Sequence, residues 1–175
     1  MDGLQEFLEK IQSSDASVRY AAWRSAGPVG APAVVPLADL MASADKGVVK
    51  AAQGALQGIV HYAARPGARE EARSVSAELL KVAASSRPTR VRAEALHWLG
   101  FVGDQRAVLG IALLLGDAEV RDEARMALER MPGRAPRRAL QQALETAPAD
   151  FKPNLQQSLS NRHLTPDTVG TRPAR

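Results

Sequence analysis

Three histidines, His61, His97 and His163, are the residues of this sequence best suited to bind a metal ion or to transfer a proton. None of them lies in an HExxH motif, and no two have the close spacing of a metal-ligand pair. His61 precedes Tyr62 and His97 precedes Trp98, an arrangement that favours one polar and one packed residue in each pair. We therefore expect no metal site and no cofactor.

Other catalytic motifs are also missing from the sequence. The glycine-containing stretches at 27–30 and 100–104 follow helical patterns, spell neither GxGxxG nor a lysine-bearing phosphate loop, and are typical of helix ends. There is no GxSxG motif, and helix capping explains the serine clusters SSD and SSRP. Adjacent acids such as Asp122 and Glu123 point in different directions on a helix, which makes them poor acid/base pairs. The sequence predicts a protein without enzymatic activity.

The composition favours one helical domain. The chain has 175 residues, of which 45% are hydrophobic and only 4% aromatic, with alanine and leucine prominent. Its 23 basic and 19 acidic residues give a formal charge of +4, which is weak support for a polyanionic partner. There is no cysteine, and the apolar stretch 107–116 has about half of the roughly 20 residues that span a bilayer. Acidic residues near the start argue against a signal peptide. We expect a cytoplasmic monomer without membrane contact.

A motif recurs five times along the chain. Asp or Pro is followed three residues later by an apolar residue, here position 0, usually with a basic residue at position 1 and small or apolar residues at positions 4 and 8. Position 0 is occupied by Val18, Val48, Val91, Val120 and Phe151, at steps of 29 to 43 residues. Positions 0, 4 and 8 share one stripe of a helix, so we expect them to be buried. Asp or Pro favours a helix start, and alanine at position 4 permits close helix packing.

Amphipathic segments lie between the copies of the motif, and glycine and proline separate them. These segments cover residues 3–11, 32–41, 70–84, 106–115 and 137–145. No segment shows the alternation of a strand, so the chain is predicted to alternate first and second helices. The longest step, from Val48 to Val91, predicts extended helices around the intervening turn.

The repeating unit resembles HEAT repeats of the short bacterial type, which also occur in phycobilisome-lyase-like proteins. The resemblance is carried by DASVRYAAWRSAG, RPTRVRAEALHWLGFVGD and GDAEVRDEARMALERM. It implies an all-α fold, a right-handed α-α superhelix (a HEAT-like solenoid) of about five helix pairs. The repeat domain covers 1–162, with approximate repeats 1–29, 30–65, 66–103, 104–133 and 134–162. The remaining 163–175 segment lacks apolar periodicity and is predicted to be a flexible tail.

The resemblance to HEAT repeats implies that the second helices line the concave side of the stack, which is the usual docking surface. Motif positions 2, 3, 6, 9, 10 and 13 face away from the buried stripe. The partner-binding residues predicted on this basis are Tyr20, Arg24, Lys50, Gln57, His61, Glu94, His97, Phe101, Glu123 and Met126. With Asp122, Glu129 and Arg130, the strip holds three basic and four acidic residues. This mixed charge suits a polypeptide, and we expect a non-catalytic protein–protein interaction scaffold or adaptor.

The alternative is a nucleic-acid-binding, alkylpurine-glycosylase-like HEAT protein, which would use arginine-rich edges. Its arginines would be Arg65, Arg69, Arg73, Arg87, Arg90, Arg130, Arg134, Arg137 and Arg138. A nucleic-acid groove needs a continuous basic track, and the glycosylase needs stacked aromatics beside a catalytic aspartate. Only Trp23 and Trp98 are available, and no aspartate accompanies them. The resemblance also permits a chromophore-lyase-like partner role, which no residue supports.

The basic residues at position 1 form a column that could be mistaken for a phosphate-binding ladder. They are Arg19, Arg92, Arg121 and Lys152. Because aspartates such as Asp15 and Asp117 recur at the helix starts, stacking the repeats should turn this column into ion pairs between repeats. We therefore assign the column to the scaffold.

Overall fold

The computed structural model describes residues 3–161 of the chain. This part contains ten α-helices and no strand, and three short 3₁₀ segments occur at Gly27–Val29, Ala31–Ala33 and Leu114–Gly116. The helices are α1 Gly3–Ile11, α2 Ala16–Arg24, α3 Val34–Met41, α4 Lys46–Ala63, α5 Arg69–Ala83, α6 Thr89–Val102, α7 Gln105–Leu113, α8 Arg121–Arg130, α9 Arg134–Thr146 and α10 Lys152–Asn161. The predicted all-α solenoid of five helix pairs is confirmed. The predicted tail, 163–175, lies outside the described residues.

The helices form two layers in which each repeat contacts the next. The even-numbered second helices pack in sequence, α2 on α4, α4 on α6, α6 on α8 and α8 on α10. The first helices α3, α5, α7 and α9 pack in the same order, and α1 contacts the turn at Ala31–Ala33. Within residues 3–161, no helix combines the length and apolarity needed to cross a bilayer.

The predicted buried stripe forms the contact between the layers. Val91, Ala95 and Leu99 are at most 1% exposed, and Val120, Ala124 and Leu128 are fully buried. Val18 at 36% exposure and the half-buried Leu159 are the exceptions. They lie on the two terminal second helices, α2 and α10, which each pack against one neighbour in their layer. One continuous apolar core runs from Phe7 to Leu155.

The second helices begin as predicted in the first three repeats and later in the last two. The carboxylate of Asp15 accepts a hydrogen bond from the Ser17 amide at 2.7 Å, and Asp45 caps α4 in the same way. By contrast, Asp117 accepts from the amide of Glu119 within a turn, and α8 begins only at Arg121. The prediction that Asp117 starts the helix is wrong, because Val120 has the non-helical dihedrals φ −134° and ψ 8°.

The helices around the long central turn are extended, as the spacing of the motif predicts. The α4 helix has 18 residues and α5 has 15. The preceding first helix, α3, has only 8 residues. The extra length brings the end of α4 alongside the later turns of α6.

Ion pairs link successive repeats at the starts of the second helices. The guanidinium of Arg92, whose side chain is only 9% exposed, contacts the carboxylates of Asp117 and Glu119 in the next repeat. Arg121 pairs in the same way with Asp150 at 2.6 Å. Arg92 also donates to the carbonyl of Ala83 at 2.9 Å. The predicted ion pairs between repeats are confirmed at these two junctions.

The other two junctions vary this arrangement. Arg19 donates to the carbonyl of Ser13 at 2.6 Å. The amides of Val48 and Gly47 lower the pKa of Asp45 in the next repeat, and the charge of Arg19 adds to that effect. Between the second and third repeats, Val49 replaces the arginine and Pro88 replaces the aspartate, so both members of the pair are lost together.

Two other arginines bridge the second and third repeats. Arg87 pairs with Asp39 of the second repeat at 2.8 Å, and Arg90 donates to the carbonyl of Met41 at 3.1 Å. Both contacts join the start of α6 to α3. These two contacts therefore supply the polar link between the second and third repeats that Val49 and Pro88 cannot make.

Replacing a buried alanine of the stripe by aspartate should unfold the stack locally. Ala95 and Ala124 are at most 1% exposed, so Ala95→Asp or Ala124→Asp places a carboxylate in the buried apolar stripe. We expect a loss of about 3 kcal/mol or more in the free energy of unfolding, measured by urea denaturation. The exposed Ala77→Asp in α5 is the control and should cost less than about 1 kcal/mol. Equal losses at the buried and exposed positions would contradict the assigned stripe.

The ion pairs between repeats should make the stability depend on pH. The hydrogen bond from Arg92 lowers the pKa of Asp117 below its ordinary value of 3.8, and Arg121 lowers that of Asp150. A carboxyl whose pKa is lowered by folding stabilises the fold above the unfolded value, and it loses that contribution as the pH falls through the folded value. Asp117→Asn/Asp150→Asn should therefore be less stable than wild type at neutral pH, and the difference should shrink below pH about 4. A difference that is the same in urea titrations at neutral and acid pH would contradict this linkage.

Candidate functional site

The ten predicted partner-binding residues lie on four consecutive second helices, and none of them is buried. Seven are exposed, with Tyr20 at 53% and Phe101 at 58%, and three are half-buried, namely Glu94, Glu123 and Met126. We call the exposed surface of α2, α4, α6, α8 and α10 the second-helix face. This surface is the candidate functional site.

Four aromatic side chains from α4 and α6 form a continuous patch at the centre of this face. The aromatic patch consists of His61, His97, Trp98 and Phe101. The rings of His97 and Phe101, one helical turn apart, have centroids 5.2 Å apart, and His97 lies 4.8 Å from Trp98. His61 reaches across from α4 to within 5.6 Å of Trp98. The patch therefore spans the contact between two repeats, which one copy of the motif could not reveal.

Trp98 is the buried base of the aromatic patch. It is 8% exposed, and its indole N–H donates to the carboxylate of Glu94 at 2.9 Å, which satisfies its one polar group. His97 and Phe101 remain exposed above it. The expectation of one polar and one packed residue thus holds for His97 and Trp98. It fails for the other pair, because Tyr62 is 40% exposed and lies 3.8 Å from the guanidinium of Arg65.

A second aromatic pair lies at the N-terminal end of the face. The rings of Tyr20 and Trp23 meet edge to face with centroids 5.3 Å apart. Trp23 packs directly on Gly54 of α4, where an added Cβ atom would lie only 2.3 Å from the indole ring. Gly54 therefore allows the ring to lie flat on the next repeat. The motif did not predict this contact, because Gly54 occupies position 6, which the sequence assigned to the side facing away from the buried stripe.

Fewer acidic side chains of the second-helix face are available to a partner than the sequence count of four indicated. Arg125, which that count omitted, pairs with Asp122 at 3.1 Å and with Glu129 at 3.2 Å. Asp122 also accepts from the amide of Asn154 at 3.0 Å. Two of the four acids of the predicted strip, Asp122 and Glu129, are thus paired within the protein. Arg125 was missed because position 5 belongs neither to the buried stripe nor to the predicted presenting positions.

The same arginine anchors a polar contact between α8 and α10. The Ser158 hydroxyl is fully buried, accepts from Arg125 at 2.6 Å and donates to Glu129 at 2.5 Å. Asn161 donates to the other oxygen of Glu129 at 2.8 Å. This network holds the last repeat in place and removes these groups from the surface available to a partner.

The arginines assigned to nucleic-acid binding divide between two opposite edges of the stack. Arg87 and Arg90 lie at the turn from a first to a second helix, whereas Arg65 and Arg69 lie at the turn from a second helix to the next first helix. Four members are engaged, because Arg65, Arg73 and Arg87 pair with carboxylates and Arg90 binds a carbonyl. These arginines therefore do not form one continuous basic edge.

Within residues 3–161, no three His, Asp or Glu side chains are grouped so that they could hold a metal ion. A cavity of about 360 Å³ lies between α5 and α7 and is lined by Arg73, Ser76 and Leu80 among others. It belongs to the layer of first helices and contains none of the predicted partner-binding residues.

Comparison with known proteins identifies similar structures but no family. No protein-family model matches the chain, and no curated protein matches it. Among solved structures, an engineered protein from a structural genomics consortium is 21% identical with a TM-score of 0.44, and covers 92% of this chain and 79% of its own. A designed armadillo repeat protein in complex with the peptide (KR)4 is 16% identical with a TM-score of 0.38, covering 91% and 99%. Because both TM-scores are below 0.5, the assignment of the fold rests on the helix arrangement described above.

Two glycines of α4 provide a matched test of the packing of Trp23. Gly54→Ala places a methyl group against the indole, so we expect Trp23 to shift and its fluorescence to change. The steric cost should offset the gain of about 1 kcal/mol that alanine brings to a helix. At Gly58 the nearest atom to an added Cβ lies 3.7 Å away, so Gly58→Ala should stabilise the protein without altering the fluorescence. Identical spectra and melting temperatures for the two variants would contradict the contact.

Proposed function

We propose that this protein is a non-catalytic scaffold or adaptor of the HEAT-repeat type, which binds a polypeptide partner on the second-helix face. The observation that carries the proposal is the aromatic patch, where Phe101 and His97 stand exposed on the buried indole of Trp98. Exposed aromatic side chains on a rigid base are typical hot spots of protein interfaces. The HEAT assignment is supported by the pairing of Arg92 and Arg121 with aspartates of the following repeats.

The remaining groups of the face suit a polypeptide. Gln57 and Lys50 on α4 and Tyr20 on α2 are exposed and can bond to peptide groups as donors or acceptors. They lie on helices that pack side by side, so an extended chain crossing the helices would meet them in succession. The cytoplasmic location and monomeric state are part of this proposal.

A second candidate function is nucleic-acid binding, which one group of arginines favours. Arg69, Arg134 and Arg138 are exposed, and no carboxylate pairs with them among residues 3–161. They lie at or near the turns that lead from second to first helices. We rank this function lower, because these arginines belong to the first helices α5 and α9, whereas the aromatic rings that could stack on bases belong to the second helices α4 and α6. The glycosylase version is weaker still, since Trp98 is buried and bonded to Glu94.

Affinity capture with matched variants tests the proposed function. Phe101→Ala and Tyr20→Ala each remove an exposed ring, and each should weaken partner binding by about 2 kcal/mol, or roughly 30-fold in Kd. Leu113→Ser is the control, since Leu113 is 82% exposed in the layer of first helices. The partner should be recovered by wild type and Leu113→Ser from a lysate of the native host and lost by both aromatic variants. Calorimetry on the purified pair then measures the affinities. Equal recovery by all four proteins would contradict the assigned face.

A further inference from the structure

The three basic residues of the predicted strip on the second-helix face have no carboxylate partner within residues 3–161. Arg24 on α2, Lys50 on α4 and Arg130 on α8 are exposed, and none of them takes part in an ion pair there. Arg130 lies with its guanidinium 5.6 Å from the centre of the Phe101 ring. One cation therefore stands directly beside the aromatic patch.

The acids of the same face are largely engaged. Asp122 and Glu129 are paired with Arg125, and Glu94 accepts the indole N–H of Trp98. Glu123 is the remaining acid of the predicted strip and is half-buried. A partner approaching this face thus meets exposed cations while most of the carboxylates are already bonded. The electrostatic complement of the face is an acidic partner.

We infer that the polypeptide bound by this face is an acidic segment that carries an aromatic or large apolar residue. Its apolar side chain packs on His97 and Phe101, and its carboxylates pair with Arg130 on one side and with Arg24 and Lys50 on the other. The inference rests on the proposed function and adds the chemical class of the partner.

The spacing of the helices sets the length of this segment. Packed helices lie about 8–10 Å apart, so two or three steps separate Arg130 on α8 from Lys50 and Arg24, a span of about 16–30 Å. An extended chain covers about 3.3 Å per residue, so its two acidic groups are separated by about 5–9 residues. The apolar residue lies nearer the acidic group that pairs with Arg130, because Arg130 adjoins Phe101.

A nucleic acid fits this face less well than an acidic peptide. Phosphates follow one another at every nucleotide and require a continuous row of cations. Here α6 supplies His97, Phe101 and the acid Glu94 between the cations of α4 and α8. A peptide can place an apolar residue at that point and carboxylates on either side.

Selection from a random peptide library tests the inference without assuming a sequence. The full chain is immobilised and panned against displayed peptides of about twelve residues, longer than the estimated span. We expect recovered sequences to be enriched in Asp and Glu on both sides of an aromatic or large apolar residue. Enrichment of neutral or basic sequences would overturn the inference.

Charge reversal identifies the cations that bind the selected peptide. Arg24→Glu/Lys50→Glu/Arg130→Glu should weaken binding at least tenfold in fluorescence anisotropy. Arg69→Glu/Arg106→Glu/Arg138→Glu, at exposed positions of the first helices, makes the same change in net charge and should leave the affinity within about twofold. Wild-type affinity should also fall as the NaCl concentration rises from about 50 to 500 mM. Equal loss in the two variants, or an affinity independent of salt, would overturn the assignment.

Two further measurements separate the possible failures. If the selected peptides are not acidic but Phe101→Ala abolishes their binding, the inference is wrong and the proposed function stands. If Phe101→Ala does not change the affinity for any bound peptide, both the inferred acidic partner and the proposed function are wrong. A labelled oligodeoxythymidylate is the probe for a nucleic acid. If it binds wild type more tightly than the acidic peptides do, and Arg24→Glu/Lys50→Glu/Arg130→Glu abolishes that binding, the partner of this face is a nucleic acid and the inference is wrong.

Discussion

The contact between one second helix and the next is the interaction on which the rest of this structure depends. Small residues let these helices approach closely, since an added Cβ atom at Gly100 of α6 would lie 3.3 Å from the backbone of Ala127 in α8. Arg92 and Arg121 bind aspartates of the following repeat at the starts of the same helices. The apolar contact supplies stability, and its interdigitated side chains restrict how far a helix can rotate or slide. At the two junctions that have them, the ion pairs add directional contacts that favour one register between neighbouring second helices.

This register creates the candidate site. The aromatic patch needs His61 of α4 beside Trp98 of α6, and the Trp23 ring needs Gly54 of the following repeat. A rotation of one second helix would separate each pair. The junction between the second and third repeats, where the patch lies, is also the one where Val49 and Pro88 replace the usual pair and Arg87 and Arg90 hold α3 instead. The face is thus built at the most irregular contact of the stack.

The sequence was sufficient for the fold and only partly for the site. Helical periodicity predicted the stripe through Val91 and Val120, because burial follows directly from a period of 3.6 residues. It could not predict the turn at Asp117, which depends on the dihedrals of Val120. The pairing of Arg125 with Asp122 and Glu129 was missed, since a count of charges by helix position does not show which side chains meet. Because that pairing engages two acids of the face, the exposed cations predominate, and the inferred partner is acidic.

A double-mutant cycle on Arg92 and Asp117 tests the central claim, contact between neighbouring repeats, most directly. The free energies of unfolding of Arg92→Met, Asp117→Asn and the double variant, measured by urea denaturation, should reveal a coupling of about 1 kcal/mol between the two residues. Arg92→Met combined with Asp150→Asn, whose partner is Arg121, should be additive, because those groups belong to different junctions. Additivity between Arg92 and Asp117, or equal coupling in both cycles, would contradict a stack held in register by pairs between neighbours.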